Sequence, residues 1–137
     1  MSLFQIFDVA GSGMTAQSVR LNTTASNIAN ADTVSGSAES AYRSRQPYFL
    51  SVLKAAGAPE GYAGVRVAGV IESQAPAPRL YQPGHAEADD NGYVYGSNVN
   101  AIEELVNMIS ASRAYQNNVE VMNTSKQLLM RTLSLGQ

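Results

Sequence analysis

Residues 98–135 have the sequence NVNAIEELVNMISASRAYQNNVEVMNTSKQLLMRTLSL, a long stretch without glycine or proline. Apolar residues recur in it at alternating steps of three and four, the heptad spacing typical of coiled coils and long bundle helices. Seven of the nine positions in this series are apolar: Leu105, Met108, Ser112, Tyr115, Val119, Met122, Lys126, Leu129 and Leu133. We therefore predict that segment 98–137 forms one long helix, with a capping box at Asn100 and Glu103 and a terminating Gly136.

Two further apolar stripes run along the same predicted helix. One repeats every seven residues and the other, which is shorter, covers the first turns. They comprise Ala114, Val121, Leu128 and Leu135, and Ile102, Val106 and Ile109. A helix that is apolar on more than one face needs packing partners on more than one side. At about 1.5 Å per residue it would also be about 54 Å long, so we expect it to project from the domain or pack along neighbouring chains.

The first third of the chain repeats this pattern in a weaker form. Phe7, Met14, Leu21 and Ile28 are spaced by seven residues and predict a second helix within segment 1–31, which pairs with the C-terminal one. Because each glycine costs about 1 kcal/mol relative to alanine inside a helix, the run Gly11-Ser12-Gly13 predicts a break or kink. The firmer helix is expected to run from Met14 to Ala29.

Segment 32–97 differs from both ends, because it holds all five prolines and six of the seven tyrosines. Its β-favouring residues predict four short strands, and Asn91-Gly92 predicts a tight hairpin turn before the last of them. The predicted strands are residues 41–53, 64–72, 79–82 and 93–95, and the predicted loops are residues 34–39 and 55–62. The expected fold class is α+β, with long N- and C-terminal helices packed as a coiled coil or bundle and a small antiparallel β region between them.

Length and charge narrow the class of protein. The 137 residues favour one domain, and only 15% of them are charged, against about 25% in a typical soluble domain. Nine Lys plus Arg against eleven Asp plus Glu give a net charge of −2, and no basic cluster could neutralise phosphates, which argues against nucleic acid as a partner. We see neither a cleavable signal peptide nor an apolar stretch long enough for a membrane span.

Few residues suggest chemistry. The sequence has no cysteine and one histidine, His85, which lies on a Pro-Gly turn without a second imidazole or thiolate to complete a zinc site. Asp89-Asp90-Asn91-Gly92 lacks the spaced carboxylates of a calcium loop and favours a turn. We find no nucleophile elbow and no phosphate-binding loop. We predict no catalytic, metal or cofactor site and do not expect an enzyme.

Asparagines populate both predicted helices although their helix propensity is poor. Amide side chains can fix the register of packed helices without the desolvation cost of a charge, or they can simply form exposed polar faces. We favour the first role for Asn27 and Asn30. Tyr115 and Met122 lie in the heptad series, where such residues are usually packing core.

Several separated motifs of the sequence resemble the motifs of one protein family. Residues 21–33, LNTTASNIANADT, resemble the N-terminal signature of flagellar rod and hook axial proteins. Residues 1–13 (MSLFQIFDVAGSG), 81–94 (YQPGHAEADDNGYV), 106–121 (VNMISASRAYQNNVEV) and the ending TLSLGQ are similar to proximal-rod proteins of that family. The motifs occur in the family's order along nearly the whole chain.

The resemblance implies a structural subunit of the bacterial flagellar basal-body rod, the axial shaft that crosses the periplasm and transmits torque from motor to hook. It also implies export by the flagellar type III apparatus without a cleaved signal. The implied partners are copies of the chain itself, other proximal and distal rod proteins, the basal-body adaptor and the export apparatus. In such proteins the terminal helices of neighbouring subunits pack into tubes.

We predict the subunit interface from these helices. The interface residues are Met14, Leu21, Asn27, Ile28, Asn30, Met108, Tyr115, Val119, Met122 and Leu129. The termini are expected to fold fully only on assembly, because their apolar stripes lack partners in a single chain. A different hypothesis remains open from the residues alone: a small adaptor whose coiled coil forms a closed oligomer and whose tyrosine-rich middle binds a partner.

Overall fold

A computed structural model describes residues 3–54 and 62–135, and its architecture is α+β as predicted. Helix α1 (Leu3–Ala29) leads into strands β1 (Val34–Ser35), β2 (Arg45–Lys54), β3 (Tyr62–Glu72), β4 (Arg79–Tyr81) and β5 (Tyr93–Gly96), and helix α2 (Ala101–Leu135) ends the described chain. The predicted Gly136 terminator, most of the loop predicted at residues 55–62 and part of the TLSLGQ motif lie outside the described residues.

The two helices lie antiparallel against each other. The Arg20 guanidinium donates a hydrogen bond of 2.8 Å to the Asn107 amide oxygen, near the C-terminal end of α1 and the start of α2. Towards the other end, Gly11 lies beside Met122. Among the described elements α2 packs on α1 alone, whereas α1 also contacts β2 and β3. Helix α1 therefore lies between α2 on one side and strands β2 and β3 on the other.

Helix α1 is continuous through Gly11-Ser12-Gly13, so the predicted break there was wrong. A methyl group added at Gly13 would lie 2.9 Å from the Asn118 side-chain nitrogen, which shows how closely α2 approaches at this point. On the side of α1 that faces β3, the Ser12 hydroxyl accepts a 3.2 Å hydrogen bond from the Val65 backbone N–H. Packing on both sides explains why these helix-weakening residues stand within a helix.

Asn100 caps the start of α2, which is one of the two interactions of the predicted capping box. The Asn100 side-chain oxygen accepts hydrogen bonds from the backbone N–H groups of Ile102, at 3.1 Å, and Glu103, at 3.4 Å. These two donors have no partner within the helix, so the cap satisfies groups that would otherwise depend on water. Glu103 and Glu104 in the first turn also interact favourably with the helix dipole.

The β region consists of two separate antiparallel sheets. Strands β2 and β3 form a long antiparallel ribbon with a register shift between Tyr48 and Phe49. Strands β1, β5 and β4 form a second antiparallel sheet in that order. Strand β1 lies in a predicted loop; it has only two residues, too few for a periodic signal.

The turn predicted at Asn91-Gly92 lies at the end of a longer connection between β4 and β5. The Gly92 N–H donates to the Asp89 carbonyl at 2.8 Å, and Gly92 has a φ of 80°, which glycine adopts without strain. The strands pair only from Tyr81 opposite Tyr93 onward, so the two residues do not join them directly. Local turn chemistry was predicted correctly, but the length of the connection was not.

The core of the described residues is small. Its buried apolar residues are Ala10, Ala16, Ala41, Val94 and Ala111, so four of the five are alanines. Several polar side chains are buried with them, among them Asn27 and Glu104. No helix within the described ranges is both long enough and apolar enough to span a membrane.

Candidate assembly interface

The most buried side of α2 forms a seam against α1. Its residues alternate at steps of four and three: Glu104, Met108, Ala111, Tyr115, Asn118, Met122, Ser125 and Leu129. Half of these positions match the series predicted from the sequence, namely Met108, Tyr115, Met122 and Leu129. The other four lie one residue earlier than predicted and are small or polar.

This one-residue difference has a physical reason. Small side chains on the inner face let the two helix backbones approach, as Ala111 does with no exposed surface. The larger apolar residues of the predicted series lie towards the flank or outside, so that Leu105 is 53% exposed and Val119 half-buried. The periodicity identified the apolar residues, but it could not show which stripe α1 would cover.

All but one of the interface residues predicted on α1 are half-buried. Met14, Leu21 and Ile28 are half-buried and lie at the heptad spacing that the sequence indicated. Asn27, however, is fully buried within the chain. It has no surface that a neighbouring subunit could touch in this conformation.

The Asn27 amide joins α1 to the start of β2. Its nitrogen donates to the Arg45 carbonyl at 2.8 Å. Its oxygen accepts from the Arg45 N–H at 2.9 Å and from the Tyr42 hydroxyl at 3.0 Å. These are the hydrogen bonds of a strand partner, supplied by a helix side chain. Asn27 therefore registers the helix against the β region of its own chain.

Asn30 has a local role at the end of α1. Its side-chain nitrogen donates to the Ser26 carbonyl at 2.8 Å, and its own carbonyl accepts the Thr33 hydroxyl at 2.8 Å. The Ser26 carbonyl also accepts the Asn30 backbone N–H at 3.2 Å, so the side chain adds a second hydrogen bond to the last turn of the helix. Asn30 is half-buried, so part of its surface is still accessible.

The outer side of α2 carries an exposed apolar surface at its N-terminal end, which we call the head patch. Its members follow the spacing of one helix face, i, i+3, i+4 and i+7, on the side away from the seam. They are Ile102 (77% exposed), Leu105 (53%), Val106 (63%) and Ile109 (48%). The sequence signal for this surface was the short stripe of Ile102, Val106 and Ile109, which the predicted interface residues did not include.

A second exposed surface lies towards the other end of α2, and we call it the tail stripe. Val121, Leu128 and Leu135 repeat at seven-residue spacing and are 46%, 51% and 88% exposed. Between the head patch and the tail stripe the outer side is polar, with Arg113, Gln116 and Glu120 exposed. Helix α2 thus presents two separate apolar surfaces away from α1.

The turn around His85 shows local hydrogen bonding. The exposed His85 accepts a 3.1 Å hydrogen bond at Nδ1 from the Glu87 N–H. The Asp89 carboxylate accepts the N–H groups of Tyr93 and Asn91, each at 2.9 Å. The hydrogen bond from Tyr93 is the main cause that lowers the pKa of Asp89 below its usual value, and Arg79 contributes. Across residues 3–54 and 62–135, no three His, Asp or Glu side chains are grouped to hold a metal ion.

Two protein families match the N-terminal and C-terminal parts of the chain, which contain the two helices. A family described as "Flagella basal body rod protein" matches residues 7–36, and one described as "Flagellar basal body rod FlgEFG protein C-terminal" matches residues 90–135. The chain is 55% identical to the flagellar basal-body rod protein FlgC of Escherichia coli O6:H1 and 53% identical to that of Salmonella typhimurium strain LT2, over 100% of both chains in each case. The FlgC of Buchnera aphidicola from Acyrthosiphon pisum is 40% identical, again over 100% of both chains.

These full-length matches confirm the resemblance drawn from the separated motifs. In both enteric relatives the alignment covers the full length of the two sequences. The chain belongs to the FlgC family of flagellar basal-body rod proteins.

Proposed function

We propose that this structural subunit of the flagellar basal-body rod polymerises through α1 and α2 into the hollow drive shaft that carries torque from motor to hook, at the proximal end of the rod. The observation that carries this proposal is the exposed apolar surface of α2. The head patch and the tail stripe lie outside the seam with α1, so the fold of one chain leaves them uncovered. Polymerisation would cover them.

The energetics favour such burial. Fully burying a Val, Leu or Ile side chain contributes about 1.5–3 kcal/mol, so the four head-patch residues alone could offset a substantial part of the entropy of association. A contact between two different surfaces repeats from subunit to subunit and generates a helical assembly when it does not close into a ring. Long helices that are buried on several sides would make such an assembly stiff under torque.

We propose that the partners are copies of this chain together with other proximal and distal rod proteins, the basal-body adaptor and the export apparatus. Part of the surface stays accessible beside α1 for the half-buried seam residues Met108, Tyr115, Met122 and Leu129, and for the half-buried Val119 at the flank of the seam. The same holds for Met14, Leu21 and Ile28 on α1. These residues would add contacts along the length of the helix pair. We assign no chemical reaction to the chain.

The proposal is tested by a charge placed in the head patch. Ile109→Asp should abolish swimming in a strain that lacks the native protein, because a buried carboxylate without a partner is too costly for the contact. The matched control is Gln116→Asp, which places the same charge on the exposed polar part of the same helix. Swim diameter in soft agar and recovery of intact rods are the readouts, with immunoblots to confirm equal protein levels. Normal rods with Ile109→Asp would refute the proposal.

A further inference from the structure

We infer that Asn91 is a latent deamidation site, which Asp89 keeps unreactive as long as the turn before β5 is closed. This modification site lies in the β region and does not depend on how the helices assemble. Three features carry it: the dipeptide Asn91-Gly92, the hydrogen bonds that fix its backbone, and the packing around Gly92.

The dipeptide itself is chemically labile. Asparagine is among the thermolabile residues, and it reacts fastest before glycine, which has no side chain to shield its backbone nitrogen. The Gly92 nitrogen gives up its proton and bonds to the side-chain carbonyl carbon of Asn91, while the Asn91 side-chain nitrogen takes up a proton and leaves as ammonia. Water then opens the resulting succinimide ring. Opening at one carbonyl gives aspartate, and opening at the other gives isoaspartate, in which the main chain runs through the former side chain.

The fold leaves the Asn91 side chain accessible but restrains the nitrogen that would attack it. Asn91 is exposed, so water reaches it. The Gly92 N–H, in contrast, donates a 2.8 Å hydrogen bond to the Asp89 carbonyl. The attack requires this proton to be lost, and a proton held in a hydrogen bond is harder to remove. The reactive step is therefore disfavoured in the closed turn.

The backbone on both sides of the labile peptide bond is also fixed. The Asn91 N–H donates to the Asp89 carboxylate at 2.9 Å, and the Gly92 carbonyl accepts the Gln82 N–H at 2.9 Å. Neither Asp90 nor Asn91 has a positive φ, so these residues form a type I turn, in which the ψ of the second central residue is about 0°. Ring closure requires a large rotation about this ψ, and the hydrogen bonds oppose that rotation.

Packing around Gly92 opposes the same rotation. A methyl group at Gly92 would lie 3.0 Å from Cβ of Pro83 and 3.1 Å from the Tyr81 ring. The α carbon of Gly92 therefore has little room to move while these two residues stay in place.

The Asp89 carboxylate connects the turn to its surroundings. Besides the Asn91 N–H, it accepts the Tyr93 N–H at 2.9 Å, and it lies 3.7 Å from the Arg79 guanidinium. Opening the turn breaks these contacts together. Asn91 then reacts only in molecules whose turn is open, and its observed rate is the rate in the open turn multiplied by the population of that state.

Deamidation would prevent the turn from closing again. The aspartate product places a third carboxylate beside Asp89 and Asp90, and the isoaspartate product lengthens the main chain just before the pairing of Tyr81 with Tyr93. The amount of product would therefore record the time that a chain has spent with this turn open.

The first test compares the full-length chain in native buffer with the same chain in guanidinium chloride. The sheet of β1, β5 and β4 contacts neither helix among the described elements, so the isolated chain can be used. Samples are incubated in mildly alkaline buffer and digested, and mass spectrometry follows the conversion of amide to acid in the peptide that contains Asn91. A synthetic peptide of residues 86–97, measured with and without denaturant, corrects for the effect of denaturant on the chemistry.

We expect deamidation in the folded chain to be at least about tenfold slower, because a hydrogen bond to a charged acceptor is worth at least about that factor. The Tyr93 amide resonance shows that the turn is closed in the native sample. Equal rates in the two samples would overturn the inference.

The second test identifies the protecting side chain. Asp89→Ala should deamidate at Asn91 about tenfold faster than the native chain, because it removes the charged acceptor. The matched control is Asp90→Ala, which removes the same charge at the neighbouring exposed position and should change the rate little. Asp89→Asn keeps an acceptor oxygen, preserves the turn if Asp89→Ala unfolds it, and should give an intermediate rate. Native rates in both Asp89 variants, or equal acceleration by Asp90→Ala, would contradict the role of Asp89.

Discussion

Asn27 shows how much one side chain contributes to the arrangement of this chain. The sequence indicated that it has a registering role, but suggested a neighbouring helix as its partner. Its partners are instead backbone groups of Arg45 and the hydroxyl of Tyr42, which belong to a segment whose position only the folded chain defines. A periodic pattern contains no information about such a contact, because it links a helix to a strand start through one amide.

Asn27→Ala should detach the start of β2 from α1. The substitution removes the Asn27 partner of the Arg45 N–H and carbonyl at a partly buried site, where the cost of losing each hydrogen bond is about 1 kcal/mol. We expect faster amide hydrogen exchange around Arg45. The matched control is Asn22→Ala at an exposed position of the same helix, which should leave exchange unchanged. Equal exchange in both variants would show that the amide does not hold the strand.

We expect alanine substitutions at Gly11 and Gly13 to change the helicity of the chain differently, although the two glycines are only two residues apart. A methyl group at Gly11 would lie 3.8 Å from the Met122 methyl, an ordinary contact, whereas one at Gly13 would lie 2.9 Å from the Asn118 nitrogen. Gly11→Ala should raise the helicity of the chain, since alanine favours a helix over glycine by about 1 kcal/mol. Gly13→Ala should gain less or lose helicity, as far-UV circular dichroism would measure after other rod proteins are added. An equal gain in both variants would contradict the close approach.

Asp89 makes the turn before β5 sensitive to acid. Its pKa is lowered in the folded chain, so the carboxylate stabilises the turn fully above the pKa of an unfolded aspartate, about 3.9, and this contribution is lost as the pH falls through the lower folded value. The Tyr93 amide resonance should therefore shift only below about pH 4. Asp89→Asn keeps an acceptor oxygen and should remove the titration. A shift at neutral pH would contradict the assignment.

At the scale of elements, the two helices and their pairing were predictable, but the faces by which they meet were not. Heptad spacing located α2 and its cap at Asn100, because both depend on nearby residues. The seam instead depends on which stripe α1 covers, and α1 selects small and polar residues such as Ala111 and Ser125. The break predicted in α1 failed for the same reason: glycine propensity is local, whereas the close packing of Gly13 against Asn118 is tertiary.

Tyr115→Asp tests the seam itself. Tyr115 is half-buried between the helices, so a carboxylate there should separate α2 from α1 and prevent rod assembly. The sheet around the fully buried Val94 should persist, because its strands do not contact α2. Swimming assays and the amide exchange of β5 measure the two effects, and Tyr115→Phe is the control. Working rods with Tyr115→Asp would refute the role of the seam.

At the scale of the whole molecule, the low charge of the sequence and the exposed apolar surface have one explanation. A chain with 15% charged residues has little charged surface to present to water. The described core consists of four alanines and one valine, whereas Ile102, Leu128 and other large apolar side chains lie outside it. Small buried groups contribute little hydrophobic free energy, so we expect burial against neighbouring subunits to add much of the stability of the helices.

Far-UV circular dichroism combined with sedimentation velocity on the isolated chain tests this account most directly. We predict a monomer with low helicity that gains helicity when other rod proteins are added, because the helices lack most of their packing until assembly. A closed oligomer with full helicity on its own would contradict the account. In that case the apolar surfaces would be covered within the oligomer, as in a coiled-coil adaptor.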